Sequence, residues 1–183
     1  YVGLARTRPM RGYGYWDELR RRDQKKGVHS AIHHGNPALL GALGVQLIAG
    51  RAMTPREARQ ASKVAILSED LAKRLELANP IGARVRDEST EYEVIGVARN
   101  ARYSGMREAP PVAYLPFPYD DDAATVLLRT SMPPMALVSA VRQAVKELDA
   151  NLPLMDVYTM DQRRLWRVSP AALHRRHLRF DGA

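Results

Sequence analysis

The sequence predicts an α+β fold: a mixed or antiparallel sheet with helices packed on one face. Three observations predict it. Short, apolar, β-branched runs recur along the chain, as at residues 64–67 and 92–98. Capped helices stand between some of them. Other strands follow one another directly, as hairpin-like pairs, so the pattern is not a strict strand–helix–strand rhythm.

The elements follow in order. Residues 1–30 mix glycine, aromatic and basic side chains, among them Tyr13, Tyr15, Trp16, Arg20 to Arg22, Lys25 and Lys26. Residues 17–26 read as a short polar helix with almost no apolar face. Residues 36–43 read as a helix with Asn36 at the N-cap and Pro37 at the first helical position, ended by Gly44. Residues 45–49 read as a strand, and Gly50-Arg51 as a turn. Thr54-Pro55-Arg56-Glu57 is a capping box that opens the next helix. Residues 63–67 form a buried strand. Ser68 then caps a helix whose first turn holds Glu69 and Asp70, where the positive end of the dipole favours acids. Asn79-Pro80 stops it.

Strands are expected at residues 83–86, 92–98, 113–115 and 124–129. Residues 134–149 form the best helix of the chain. Val138, Val141, Val145 and Leu148 recur at spacings of three and four and make one apolar stripe. Residues 154–158 read as a strand, and Thr159 with Gln162 as a second capping box. Three segments result: a poorly defined basic stretch over 1–35, a core domain over 36–162, and a basic tail over 163–183, flexible or helical.

Composition narrows the function. The 183 residues include no cysteine, and 45% are hydrophobic. That fraction suits a globular domain. The lack of cysteine removes disulfide scaffolds, cysteine nucleophiles and Cys-ligated zinc. The formal net charge is +8, which invites a nucleic-acid reading. Its distribution argues otherwise. Residues 1–30 hold 8 basic and 3 acidic side chains, residues 31–160 hold 14 and 15, and residues 161–183 hold 6 and 2. The body is near neutral, whereas a nucleic-acid domain carries its basic stripe on the folded body. The longest apolar stretch, residues 38–50, holds Gln46 and three glycines and is too short to span a bilayer. No signal peptide is visible.

Residue chemistry disfavours an enzyme. His33 and His34 are adjacent, so on a strand they point to opposite faces and do not grip one ion with His29. Asp120-Asp121-Asp122 lacks the alternating oxygens of a calcium loop. Gly12-Tyr13-Gly14 follows no strand, and the serines lie in no G-x-S-x-G elbow. No metal, cofactor or catalytic residue is expected.

Four segments, in order, carry a family resemblance. The first is Val45-Gln46-Leu47-Ile48-Ala49-Gly50-Arg51 with the Thr54 capping box. The second runs from Val64-Ala65-Ile66-Leu67-Ser68-Glu69-Asp70 to Pro80-Ile81-Gly82-Ala83-Arg84-Val85. The third is Tyr92-Glu93-Val94-Ile95-Gly96-Val97-Ala98, leading to Pro110-Pro111-Val112-Ala113-Tyr114-Leu115-Pro116. The fourth is Leu127-Leu128-Arg129-Thr130, the helix with Val141-Arg142, and Leu148-Asp149-Ala150-Asn151-Leu152-Pro153. Together they resemble the periplasmic core domain of MacB/FtsX-type ABC transporter permeases, most of all the large orphan permeases of acidobacteria. The resemblance spans residues 36–162.

It implies a non-catalytic extracytoplasmic domain on the periplasmic face of the inner membrane. In the parent permease, its partners are the membrane-embedded helices, a separate ATPase and an extracytoplasmic protein. The role implied is transmembrane export or mechanical signal relay. The family runs on into a membrane helix, whereas this chain runs into a basic tail, so a truncated piece of a permease is expected. Exposed loop residues Tyr103, Met106 and Arg107, with Tyr114 and Phe117, are the candidate interaction surface, since such side chains enrich interface cores. A core role for Tyr114 and Phe117 competes with that reading. Two other functions stay open: a small basic nucleic-acid-binding module, motivated by residues 20–26, and an α+β enzyme with an unrecognised site. The neutral body argues against a nucleic-acid partner.

Overall fold

Strand β5 (Val64–Ser68) is buried along its whole length, which is why it carries no alternation of apolar and polar residues. The computed structural model describes residues 1–6, 15–101, 109–117 and 124–162. They fall into two units, Tyr1–Arg129 and Thr130–Ala183.

The first unit is organised around β5. On one side β5 runs parallel to β7 (Glu91–Ala98), and on the other antiparallel to β8 (Val112–Pro116). Strand β8 runs parallel to β3 (Val28–Gly35), which pairs antiparallel with β2 (Tyr15–Arg21). Strand β2 pairs with β6 (Arg84–Arg86), and β6 pairs with β7. These pairings close a ring of six strands in the order β2-β6-β7-β5-β8-β3. Closure satisfies the strand edges that an open sheet leaves bare. A ribbon of β1 (Val2–Ala5) and β9 (Thr125–Leu128) joins the C-terminal end of β3 through Ala5 and Gly35. Strand β4 (Leu47–Gly50) lies along the C-terminal half of β7.

Alternation sorts the apolar residues into two layers. Each ring strand sends at least one side chain inward: Leu19, Ile32, Leu67, Val85, Val94 and Ala113. They meet Leu71, Ala72 and Leu75, which helix α3 (Glu69–Arg74) and its C-cap supply. The outer layer joins Val64, Ile66, Ile95 and Tyr114 to helices α1 (Leu39–Leu43) and α2 (Pro55–Arg59). The mixed α+β class therefore stands, with the helices divided between both faces. The reason lies in β5, whose neighbours Ile66 and Leu67 are both apolar and point opposite ways, so each face needs a cover.

Local chemistry explains the element ends. The Thr54 capping box is complete: Glu57 N donates to Thr54 Oγ1 at 3.2 Å, and Thr54 N donates to Glu57 Oε2 at 2.8 Å. Ser68 caps α3 through Leu71 N at 3.3 Å, and its Oγ also accepts Val112 N at 3.0 Å. Gly44 ends α1 in the left-handed region, at φ 71°. Asn36 does not cap α1. Its Oδ1 accepts Leu4 N at 3.1 Å instead, and the helix starts after Ala38 with no side-chain cap.

Two further expectations are corrected. Residues 17–26 form no helix; residues 15–21 are strand β2, because a stretch without a helical apolar face gains more by pairing with β3 and β6. Residues 154–158 form no strand, since no neighbour supplies a ladder there among the described residues. The N-terminal 35 residues thus carry β1, β2 and β3. In the second unit, a 3-10 turn (Pro134–Leu137) leads into α4 (Val138–Leu148). The second capping box is present there, with Thr159 N donating to Gln162 Oε1 at 2.8 Å and Gln162 N to Thr159 Oγ1 at 3.2 Å.

The junction of β4 and β7 depends on glycine. Gly50 has φ 71° and lies opposite Gly96. A Cβ on Gly96 would sit 2.7 Å from the Arg51 carbonyl oxygen. Gly96→Ala is expected to cost about 2 kcal/mol, because the backbone must open. A urea midpoint lowered at constant slope reads this out. An unchanged midpoint would show that the two strands do not approach so closely.

Candidate interaction surface

Two of the five residues expected at an interaction surface belong to the core. Tyr114 is 2% exposed and Phe117 5% exposed. Val112 and Tyr114 of β8 face the outer apolar layer and Ala113 and Leu115 the ring interior, so both faces of the strand are covered. The Tyr114 ring stacks beside the His33 imidazole, with centroids 5.9 Å apart. Tyr103, Met106 and Arg107 lie within residues 102–108, outside the described residues.

The titratable groups mostly serve the fold. Glu57 takes Arg51 in a fork of 2.7 and 2.9 Å. That guanidinium, more than the Thr54 amide and hydroxyl, holds the Glu57 carboxyl down to about 2, against the opposing effect of partial burial. Asp87 sits in the turn between β6 and β7. Burial pushes its carboxyl up, but the amides of Thr90 and Ser89 and the Tyr92 hydroxyl outweigh this and leave it below its ordinary value. Glu69 accepts Asn100 N at 3.1 Å, while Asn100 Oδ1 accepts Asp70 N at 2.9 Å, which ties the start of α3 to the end of β7. His33 is buried and His34 half-buried, with His34 Nδ1 3.0 Å from the Pro116 carbonyl. His29 is exposed and stacks on Trp16 at 5.0 Å and 13°. Among the described residues, no three His, Asp or Glu side chains converge as metal ligands would.

A gap of about 10 Å³ beneath Leu39, Met53 and Tyr114 has room for about one water. An open groove of about 390 Å³ runs past Gly50, Arg51, Ile81, Gly82 and Glu93. Its arginine is already paired with Glu57, and its Glu93 lies 3.9 Å from Arg84. The groove holds no nucleophile with an adjacent base.

Among the described residues, the densest cationic run is the turn of the β2–β3 hairpin, residues 20–27. Reading those residues as a polar helix hides the hairpin that presents them. The inward set of β2 is signalled by Leu19, a single fully buried leucine, so periodicity offered almost nothing. Arg21 forms an ion pair with Asp23, and its Nη1 donates to the Glu76 carbonyl at 3.1 Å. Arg21 is half-buried and Asp23 exposed, and the pair raises the Arg21 pKa and lowers that of Asp23. Arg20 faces Arg86 directly across the β2–β6 ladder.

Comparisons with known proteins agree with this architecture. The MacB-like periplasmic core domain family matches residues 6–148. The match begins well before residue 36, as β1, β2 and β3 require. The periplasmic region of MacB from Actinobacillus actinomycetemcomitans is similar with a TM-score of 0.56 and 16% identity, over 80% of this chain and 66% of that one. The extracellular domain of the noncanonic ABC-type transporter YknZ from Gram-positive bacteria gives a TM-score of 0.56 and 15% identity, over 81% and 75%. A domain of a permease protein from Porphyromonas gingivalis gives 0.53 and 19%, over 90% and 82%. At such identities the structures speak for the fold. No curated protein matches the chain. Among the described residues, no helix is long and apolar enough to cross a membrane. The family match covers most of the sequence, and the chain belongs to the MacB-like periplasmic core domain family.

Proposed function

We propose that this chain works as a non-catalytic extracytoplasmic domain of an ABC-type permease, relaying movement rather than performing chemistry. The family match over residues 6–148 carries this reading. Two features support it. The charged groups at Glu57, Asp87 and Glu69 are consumed by bonds that hold turns and helix ends. A strand ring with a packed interior moves as one body and passes displacement on with little internal loss. The membrane-embedded helices of the permease and a separate ATPase are the partners that would drive it, and a protein outside the membrane is the one that would receive the motion.

The chain's lack of cysteine makes the location directly testable. Arg59 is exposed and Leu67 is fully buried. In intact cells making the parent protein, Arg59→Cys is expected to react with a membrane-impermeant maleimide, and Leu67→Cys to react only after denaturation. Labelling of Arg59→Cys only after lysis would place the domain on the cytoplasmic side and overturn the reading.

A further inference from the structure

We propose that the turn end of the β2–β3 hairpin is a docking surface for an acidic segment of another protein. Residues 20–27 hold five cations, Arg20, Arg21, Arg22, Lys25 and Lys26, and one acid, Asp23. Asp23 is taken by Arg21. Among the described residues, no carboxylate pairs with Arg20, Arg22, Lys25 or Lys26, and the last three are exposed. Of the nearby acids, Glu76 acts on Arg21, while Glu18 and Glu91 are engaged elsewhere. Glu18 accepts Gly27 N at 2.5 Å, and Glu91, the register partner of Arg86, lies 3.9 Å from Arg84.

The register sharpens the argument. Arg20 and Arg86 occupy directly opposite positions of β2 and β6. Side chains at such positions stand about 5 Å apart, and like charges there destabilise a sheet. Arg86 is held by the carbonyls of Asp87 and Glu88, at 3.3 and 3.2 Å, which carry no formal charge to offset it. A carboxylate between the two guanidinium groups would remove the repulsion and accept charge-assisted bonds from either fork. Alternation puts Arg20 on the same face as Trp16, and His29 stacks on that Trp16. Arginine and tryptophan are both enriched in interface cores.

An acidic protein segment suits this surface better than the other polyanions. Residues 20–27 include no apolar side chain to bury in a bilayer, and interfacial binding draws on buried apolar area as well as on charge. A domain of a periplasmic family works away from nucleic acid.

The test uses the purified full chain and a fluorescent peptide alternating Glu with Thr, at about 150 mM salt to screen distant charge. Binding is expected, and Arg20→Gln, Arg22→Gln, Lys25→Gln and Lys26→Gln together should weaken it tenfold or more. A second variant carries Arg163→Gln, Arg164→Gln, Arg175→Gln and Arg176→Gln, which removes the same charge from the tail. It should bind like the parent chain. If the fourfold hairpin variant is unfolded by circular dichroism, the threefold variant that keeps half-buried Arg20 is expected to lose most of the affinity. Three results would overturn the proposal: no binding by the parent chain, equal losses in the hairpin and tail variants, or tighter binding to phosphatidylglycerol vesicles or a single-stranded oligonucleotide. The assay needs no permease, so its failure leaves the reading of the domain's location intact.

Discussion

Leu67→Ala is expected to destabilise the first unit by about 3 kcal/mol, within the range found for leucine truncation in packed cores. Leu67 is fully buried on β5, at the centre of the ring. It packs among inward residues from the other five ring strands and against Leu71 and Leu75. Those neighbours belong to ladders that close on themselves, so they cannot collapse into the space left behind. The lost methyl groups therefore leave a cavity, and the cavity adds to the loss of transfer energy. For a unit of this size the melting temperature should fall by about 10 °C. Ile48→Ala is the matched control: Ile48 lies on β4, outside the ring, and is 38% exposed. Its loss should cost under about 1 kcal/mol. Thermal melts followed by far-ultraviolet circular dichroism compare the two. Equal shifts would mean that the ring interior is no better packed than its flank.

How much of this could be read in the sequence depends on how local each cause is. The Thr54–Glu57 capping box closes within four residues, and its two reciprocal bonds form as the sequence requires. Ser68 was half visible. Its bond to Leu71 N is local, but its bond to Val112 N spans 44 positions and depends on β5 lying beside β8. Strand β2 was invisible for the opposite reason. Its partners β3 and β6 close the ring, and its own residues offer little beyond Leu19 to mark an inner face. Residues 154–158 show the converse error: an apolar run suggests a strand, but a strand exists only with a neighbour. The same logic governs the candidate surface. Tyr114 and Phe117 are the aromatic side chains that interface cores favour, yet both are buried, Tyr114 within the outer apolar layer beside Ile66. The basic residues 20–26 were conspicuous as a charge run. Their meaning came from the register, which sets Arg20 against Arg86.

A loss of about 3 kcal/mol of stability is expected between pH 6.5 and pH 4, and a single side chain explains it. His33 lies on β3, buried beside Tyr114 of β8. Burial disfavours its charged form, the neighbouring His34 adds a smaller effect of the same sign, and together they push the imidazole down to about 4. In the unfolded chain it titrates near its ordinary 6.5. Below that value the unfolded chain holds a proton that the native protein does not, so falling pH favours unfolding. The slope approaches one proton, or about 1.4 kcal/mol for each pH unit, until the native imidazole itself charges near 4. Above pH 6.5 both states carry a neutral ring, and the contribution is fully present and constant. Glu57 acts in a lower window. Its carboxyl is held down to about 2, so the stability it supplies starts to fall below about pH 4.5 and does not overlap most of the histidine range. Urea midpoints at half-unit steps from pH 8 to pH 4 separate the two. His33→Phe keeps an aromatic ring against Tyr114 and removes the titration. It should flatten the profile between 6.5 and 4.5, whatever its effect on absolute stability, while Glu57→Gln should leave that part unchanged. A His33→Phe profile parallel to that of the parent chain would assign the acid sensitivity to another group.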